Sequence, residues 1–376
     1  MEITDAVRKA AKTFETPFLI MDLDIVEQNY RKLQNAIPGC KIFYAVKANS
    51  HVRILERLRN LGSNFDVASI GEIKKLLELG VTPDRMIFAN PMKREKDIAE
   101  AYRIGLRLFV ADCPMELEKI AENAPGSQIV VRVAVENKHS DWPLSRKFGT
   151  DMLTAVDLLG YAQKLRLKPV GVSFHVGSQN YNPKSWSNAI ENVAKIFYWV
   201  ERNFGIELSI LDIGGGIPVK HLKPIPTVEE IGQTVLQAVN EYLPNVRNLT
   251  IFAEPGRSMV GDAGILVSRV ILRCQRGSEE WVYLDAGVFH GLMETIENFR
   301  YELVVEGKEE EKKMPFVLAG PTCDSVDKIY DDAMLPYNIT LDDIVYFINA
   351  GAYTVEYGTN FNGIPSPKVY FVQDLT

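Results

Sequence analysis

Between residues 41 and 257 the chain alternates short apolar runs with amphipathic stretches, eight times over. The runs are KIFYAVKAN (41–49), NFDVAS (64–69), MIFANP (86–91), RLFVAD (107–112), IVVRVAV (129–135), PVGVSFHVG (169–177), LSILDIGG (208–215) and TIFAEPG (250–256). They are rich in Val, Ile, Phe and Leu on both faces, as parallel strands buried on both sides must be. The stretches between them, such as HVRILERLRNLG and SIGEIKKLLELG, carry helical apolar spacing. Many end on Gly, which closes helices by taking a left-handed conformation. Eight β/α units predict a closed (β/α)8 barrel. A doubly wound open sheet is the rival architecture. The count of eight, and polar residues spread over many strand ends, favour the barrel.

After residue 258 helical periodicity almost vanishes. GILVSRVILRCQRG, EWVYLDAGVF, MPFVLAGPT, DIVYFINAGAYT and KVYFVQD read as strands joined by turns, which predicts an antiparallel β domain. The reading is therefore α/β, with a barrel over 25–258 and a β domain over 259–376. The strand PFLIMDLD within the N-terminal segment 1–24 is assigned to that β domain. A chain of 376 residues suits two such domains. The charged run KEEEKK (308–313) reads as a solvated hairpin or loop.

Composition narrows the partners. The net charge is −7, where a nucleic-acid binder usually shows a basic surplus, so no nucleic-acid partner is expected. The acidic balance suits a small cationic ligand. No apolar run approaches the length of a membrane span, and the N-terminus lacks a signal-peptide pattern. The four cysteines, Cys40, Cys113, Cys274 and Cys323, are scattered without a CxxC pair. A zinc site or disulfide framework is not expected, and a reduced, cytoplasmic setting is.

Barrel chemistry collects where strands end in loops at the C-terminal face. Lys47 lies at the end of the first run. Two readings stand open there: a snorkelling lysine, or an amine that loses its charge when desolvated and forms a Schiff base. His175 ends the sixth run, followed by Gly177 and Ser178, which offer N–H and hydroxyl groups to an anion. A structural histidine is the plainer alternative. The seventh run ends in Gly214, Gly215 and Gly216. Such a backbone can approach a phosphate without side-chain obstruction, though a glycine run is also a common turn. The eighth ends in AEPGR, where Glu254 and Arg257 form either a local ion pair or two separate contacts. In the second case the carboxylate meets a protonated ring nitrogen and the guanidinium a phosphate. A lysine, phosphate loops and a carboxylate on one rim together describe a site for pyridoxal 5'-phosphate.

FYAVKAN, FDVAS, HVGSQ, LDIGGG, EPGR, GPTCD and GAYT occur in this order. Together they resemble the fold-type III pyridoxal phosphate decarboxylases, related in fold to alanine racemase. Within that group the chain resembles the ornithine/lysine branch of compact bacterial type, over residues 15 to 375. The resemblance implies roles. Lys47 holds the cofactor as a Schiff base and His175 stacks on its ring. Ser178, Gly214–Gly216, Arg257 and Tyr353 bind the phosphate, and Asp66 supports the polar network. Glu254 pairs with the ring nitrogen, Cys323 protonates the substrate carbon, Asp324 contacts the distal amine, and Glu297 and Tyr353 bind the substrate with it. It also implies a homodimer in which Cys323 and Asp324 complete the partner's site. Glu254 favours decarboxylation, since racemases of this fold are expected to carry arginine there.

Two departures stand out. Glu297, or Asn298, occupies the position where ornithine enzymes usually show Asp. Pro143, in DWPLSRKFG (141–149), stands where larger eukaryotic enzymes have arginine. The implied reaction takes L-ornithine to putrescine and/or L-lysine to cadaverine. The alternatives are decarboxylation of meso-diaminopimelate, arginine or carboxynorspermidine, or a catalytically inactive regulator of the same fold. The diaminopimelate branch is expected to carry Glu-Ser after the cysteine, whereas this chain has Cys323-Asp324-Ser325. A regulator is expected to lose Lys47, Glu254 or Cys323, and all three are present.

Overall fold

The computed structural model describes residues 1–143 and 146–375; Leu144 and Ser145 of the DWPLSRKFG segment lie outside the described residues. Contacts divide the chain into two compact units. One comprises Gln28–Pro218 with Ile225–Ser258, and the other Met1–Glu27, Val219–Pro224 and the chain from Met259 on.

The first unit is a closed barrel of eight parallel strands: Lys41–Ala45, Asn64–Val67, Met86–Phe88, Leu108–Ala111, Gln128–Val133, Lys168–Phe174, Ile210–Asp212 and Thr250–Ala253. The last pairs with the first, Phe252 opposite Lys41 and Ala253 opposite Ile42, so no strand edge is left open. Phe43, Ile87, Ala89, Val110, Val130 and Phe252 form a buried cluster, with the Phe43 and Phe252 rings 4.6 Å apart. Gly171 lies where neighbouring strands crowd: a Cβ there meets the Ile210 carbonyl oxygen at 2.3 Å.

The helices start and stop as their sequences dictate. Val228–Tyr242 opens on a capping box. Thr227 Oγ1 accepts from Glu230 N at 3.1 Å, and Glu230 Oε2 accepts from Thr227 N at 2.7 Å. Glu95–Ile104 ends on Gly105 at φ 113° and Lys184–Phe204 on Gly205 at φ 66°. A buried ion pair ties the loop after the third strand to the helix Pro114–Asn123, which follows the fourth. Lys93 Nζ donates to the Asn90 and Val110 carbonyls, both at 2.7 Å, and forms an ion pair with Glu116 Oε1 at 3.0 Å. Burial pushes the Lys93 ammonium down to about 8, against the pull of Glu116.

The second unit is an eight-stranded sheet. Its main path runs Glu302–Val305, Ile344–Ile348, Gly264–Arg276, Glu279–Leu284, Lys313–Ala319, Lys328–Pro336. Phe18–Met21 pairs antiparallel with Gly264–Arg276 and parallel with Lys368–Phe371. The sheet is thus mostly antiparallel but mixed, since Glu279–Leu284 and Lys313–Ala319 are parallel as well. The chain between those two strands is long enough to include Glu302–Val305 and to return in the same direction, which a tight hairpin cannot do. Val7, Ala10 and Ala11 of the helix Asp5–Thr13 pack on Phe18, Ile20, Ile265 and Tyr346. Among the described residues no helix is long and apolar enough to cross a membrane.

Candidate active site

The first strand stops at Ala45, and Val46–Ala48 form a single 3-10 turn. Lys47 therefore stands on that turn rather than on the strand, with its amine over the barrel mouth. Its Nζ donates to Asp66 Oδ2 at 2.8 Å. Asp66 lies on the second strand opposite Ala45. The aspartate is buried, whereas the lysine side chain is 51% exposed.

Three carboxylates meet at these strand ends. Asp212 closes the seventh strand, fully buried, and its Oδ1 accepts from Gly214 N at 2.9 Å. Glu254 follows the eighth strand, and its backbone N–H donates to the Gly214 carbonyl at 2.8 Å. Asp66 Oδ1, Asp212 Oδ2 and Glu254 Oε1 are buried with no donor. Burial, then the charges of Asp212 and Asp66, hold the Glu254 carboxyl well above its usual range, against Lys47 and Arg132. Burial lifts Asp212 to about 6, against its bond to Gly214. An uncompensated buried carboxylate of this kind calls for a cation or an N–H donor.

His175 follows the sixth strand. Burial, with Arg132 and Lys47 nearby, holds its imidazole well below the usual range. The ring is thus neutral, and its Nδ1 accepts from Gly177 N at 3.0 Å. Gly215 crosses close to it: a Cβ there meets the Glu254 carbonyl oxygen at 2.7 Å and His175 Nε2 at 3.3 Å. Gly214, at φ 63°, leaves no room either, since a Cβ lies 2.2 Å from the Phe174 carbonyl oxygen. The three glycines bring bare backbone to the barrel mouth, as an anion cradle needs. Beyond them Arg257 is buried, its guanidinium 4.9 Å from the centre of the Trp142 ring. Trp142 pairs with Ser178 across a two-stranded ribbon.

The structure thus gathers Lys47, Asp66, His175, Gly214–Gly216 and Glu254, with Ser178 and Arg257 linked through Trp142. Sequence reasoning missed Asp212 and Arg132. Each interrupts an apolar run, and that interruption is the signal available. The other candidates are placed within the second unit. Cys323 and Asp324 are exposed on the loop between Lys313–Ala319 and Lys328–Pro336. Glu297 ends the turn Met293–Glu297, exposed, and Asn298 follows at φ 63°. Tyr353 sits at φ 56°, with its ring stacked 6.2 Å from Tyr357.

The barrel residues fit pyridoxal phosphate. Glu254 offers an orphaned carboxylate oxygen, the glycines an open backbone, and Lys47 an accessible amine.

A family model described as pyridoxal-dependent decarboxylase, pyridoxal binding domain, matches residues 23–261. Lysine/ornithine decarboxylase of Selenomonas ruminantium is 38% identical, over 97% of this chain and 92% of the relative. Among solved structures, lysine decarboxylase from the same organism superposes with a TM-score of 0.91 at 35% identity, covering 100% of this chain and 97% of that one. The Paramecium bursaria Chlorella virus arginine decarboxylase bound to agmatine gives 0.89 at 30% identity, covering 97% and 99%.

Proposed function

The chain belongs to the pyridoxal-dependent decarboxylase family, and from that membership we propose that it converts L-ornithine to putrescine and/or L-lysine to cadaverine. It is a carboxy-lyase of basic amino acids that uses pyridoxal phosphate. When bound, the cofactor supplies the electron sink that accepts the pair left behind by carbon dioxide.

One observation carries the reading: Glu254 is a buried carboxylate with an oxygen that has no donor. A protonated ring nitrogen supplies that donor, and the carboxylate in turn keeps the nitrogen protonated. Lys47 offers the amine that holds the cofactor, made accessible by its exposure and oriented by Asp66. Neutral His175 presents a ring face for stacking. Gly214–Gly216, Ser178, Arg257 and Tyr353 bind the phosphate. In the second unit Cys323 donates the proton to the substrate carbon. Asp324 and Glu297 receive the distal amine, with Asn298 the alternative at the latter position. The active unit is a homodimer with shared sites, in a cytoplasmic setting that the four free thiols support.

Substrate choice is tested by incubating the holoenzyme with ornithine, lysine, arginine and diaminopimelate and identifying the amines formed. Putrescine or cadaverine is expected. Product from arginine or diaminopimelate alone refutes the proposed substrates.

A further inference from the structure

We infer that Asp327 is the positioning residue of the proton-donor loop, a buried carboxylate that gathers residues 320–327 and so fixes where the Cys323 thiol stands. The inference rests on the role proposed above for Cys323.

Asp327 is 3% exposed. Its Oδ1 accepts from Val288 N at 2.7 Å. Its Oδ2 accepts from Thr322 N at 3.0 Å and from Thr322 Oγ1 at 2.7 Å. Its backbone closes the loop at both ends: Gly320 N donates to the Asp327 carbonyl at 2.8 Å, and Asp327 N donates to the Asp324 carbonyl at 3.1 Å. Cys323 lies inside this closure, exposed, directly after the threonine that Asp327 grips twice. Its own N–H donates to Asn362 Oδ1 at 3.0 Å. Backbone is therefore pinned on both sides of the thiol.

The seat is shaped for this carboxylate. A Cβ on Gly287 lies 2.1 Å from Asp327 Oδ1, and one on Gly320 lies 2.2 Å from it. Only glycine at both positions admits the side chain. Three donors converge on its two oxygens, so an amide in its place turns an NH2 group toward other donors. Bonds to an ionised acceptor are also the stronger kind.

Position matters because the proton has two destinations. Once carbon dioxide has left, one proton quenches the electron pair that remains. Delivered from Cys323 Sγ to the substrate carbon, it gives the diamine, and the thiolate regains a proton from solvent. Delivered to the cofactor carbon instead, it gives an aldehyde and the amine form of the cofactor after water adds. Displacing a catalytic group by about 1 Å can cost a hundredfold in rate, so a slack loop shifts the balance toward the aldehyde. The ratio of the two products is set within each turnover and does not depend on how much enzyme is folded.

The experiment compares wild type, Asp327→Asn, Thr322→Val and Cys323→Ala as holoenzymes, measuring aldehyde against diamine. Asp327→Asn should raise the aldehyde share about tenfold, because one of its two oxygens becomes an NH2 group and leaves Val288 N or the two Thr322 donors without an acceptor, and Thr322→Val should raise it less. In parallel, cofactor-free proteins are treated with iodoacetamide and labelling is mapped by mass spectrometry. Labelling of Cys323 relative to the exposed Cys113 should rise in Asp327→Asn. Cys40, whose thiol burial pushes up to about 12, should stay unlabelled and so report an intact barrel. If Asp327→Asn does not fold, Thr322→Val decides alone. A wild-type product ratio in the folded variants, with Cys323→Ala shifted toward aldehyde, overturns the positioning role. An unshifted ratio in Cys323→Ala overturns the proton-donor reading and this inference with it.

Discussion

Replacing Asp212 by Asn should make the cofactor-free protein more stable at neutral pH, not less. The substitution keeps the shape and the acceptor oxygen that holds Gly214 N, at 2.9 Å in the wild type. It removes only the charge. Burial raises this carboxyl from its ordinary 3.8 to about 6, so the folded state keeps a proton that the unfolded chain gives up between those values. The folded state therefore binds more protons in that window, and stability falls as pH rises through it. Two pKa units correspond to about 3 kcal/mol, absent below pH 4 and complete above pH 6. Asp212→Asn escapes this loss and also lightens the burden on Glu254, whose carboxyl Asp212 helps push up. The expected gain at pH 7 is up to about 3 kcal/mol, a melting shift on the order of 5–10 °C for a domain of this size. Melting of cofactor-free wild type and variant between pH 4 and 8 measures it. The two curves should meet near pH 4 and diverge above it. Adding cofactor should narrow the gap, because a ring cation beside Glu254 relieves the same repulsion. A gap that stays constant over the whole pH range, or a loss at pH 7, refutes the reasoning.

Lys93→Met strands Glu116 beside Lys119 alone and should cost about 3 kcal/mol at pH 7. The deficit should grow between pH 8 and 10 in denaturant titrations, since the folded wild type sheds the Lys93 proton where the unfolded chain keeps it. Gly214→Ala forces a Cβ to 2.2 Å from the Phe174 carbonyl oxygen at φ 63°. It should cost at least about 2 kcal/mol and abolish cofactor retention on gel filtration, whereas Gly39→Ala, at φ 79° in open space, should cost about 1 kcal/mol and retain it. Borohydride reduction of the holoenzyme should fix the cofactor to Lys47, and a label on another lysine rejects that assignment. Mixing Lys47→Ala with Cys323→Ala subunits should restore about a quarter of wild-type activity through random pairing; no recovery, with subunit exchange confirmed, rejects shared sites.

The eight barrel strands were legible because each falls on its own apolar run, to within one residue at its start, and closure follows from their number. Their ends were not. FYAVKAN stays apolar through Val46 and Ala48, so hydrophobicity alone cannot separate the strand Lys41–Ala45 from the turn that carries Lys47. Glu254 and the three glycines were legible as breaks at the end of a run. Asp212 and Arg132 left only a single polar break inside a run as signal, and they meet His175 and Glu254 only when the barrel closes. In the second unit Lys328–Pro336 escaped notice because Asp331 and Asp332 interrupt its alternation, both facing solvent. The seat of Asp327 depends on two glycines distant in sequence, Gly287 and Gly320, and no local pattern announces it.

The pairing of Phe18–Met21 sets a schedule for biosynthesis. All four residues of this strand are buried, and its neighbours are Gly264–Arg276 on one side and Lys368–Phe371 on the other. Emerging from a ribosome at roughly 5–20 residues per second, the strand waits for the whole barrel sequence to be translated before its first partner appears. Its second partner comes later still. For that interval FLIM is an unpaired apolar edge, the kind of surface that recruits other chains. Nascent chains stalled within the barrel should therefore aggregate through this strand, and removing Lys368–Phe371 leaves one of its edges open permanently.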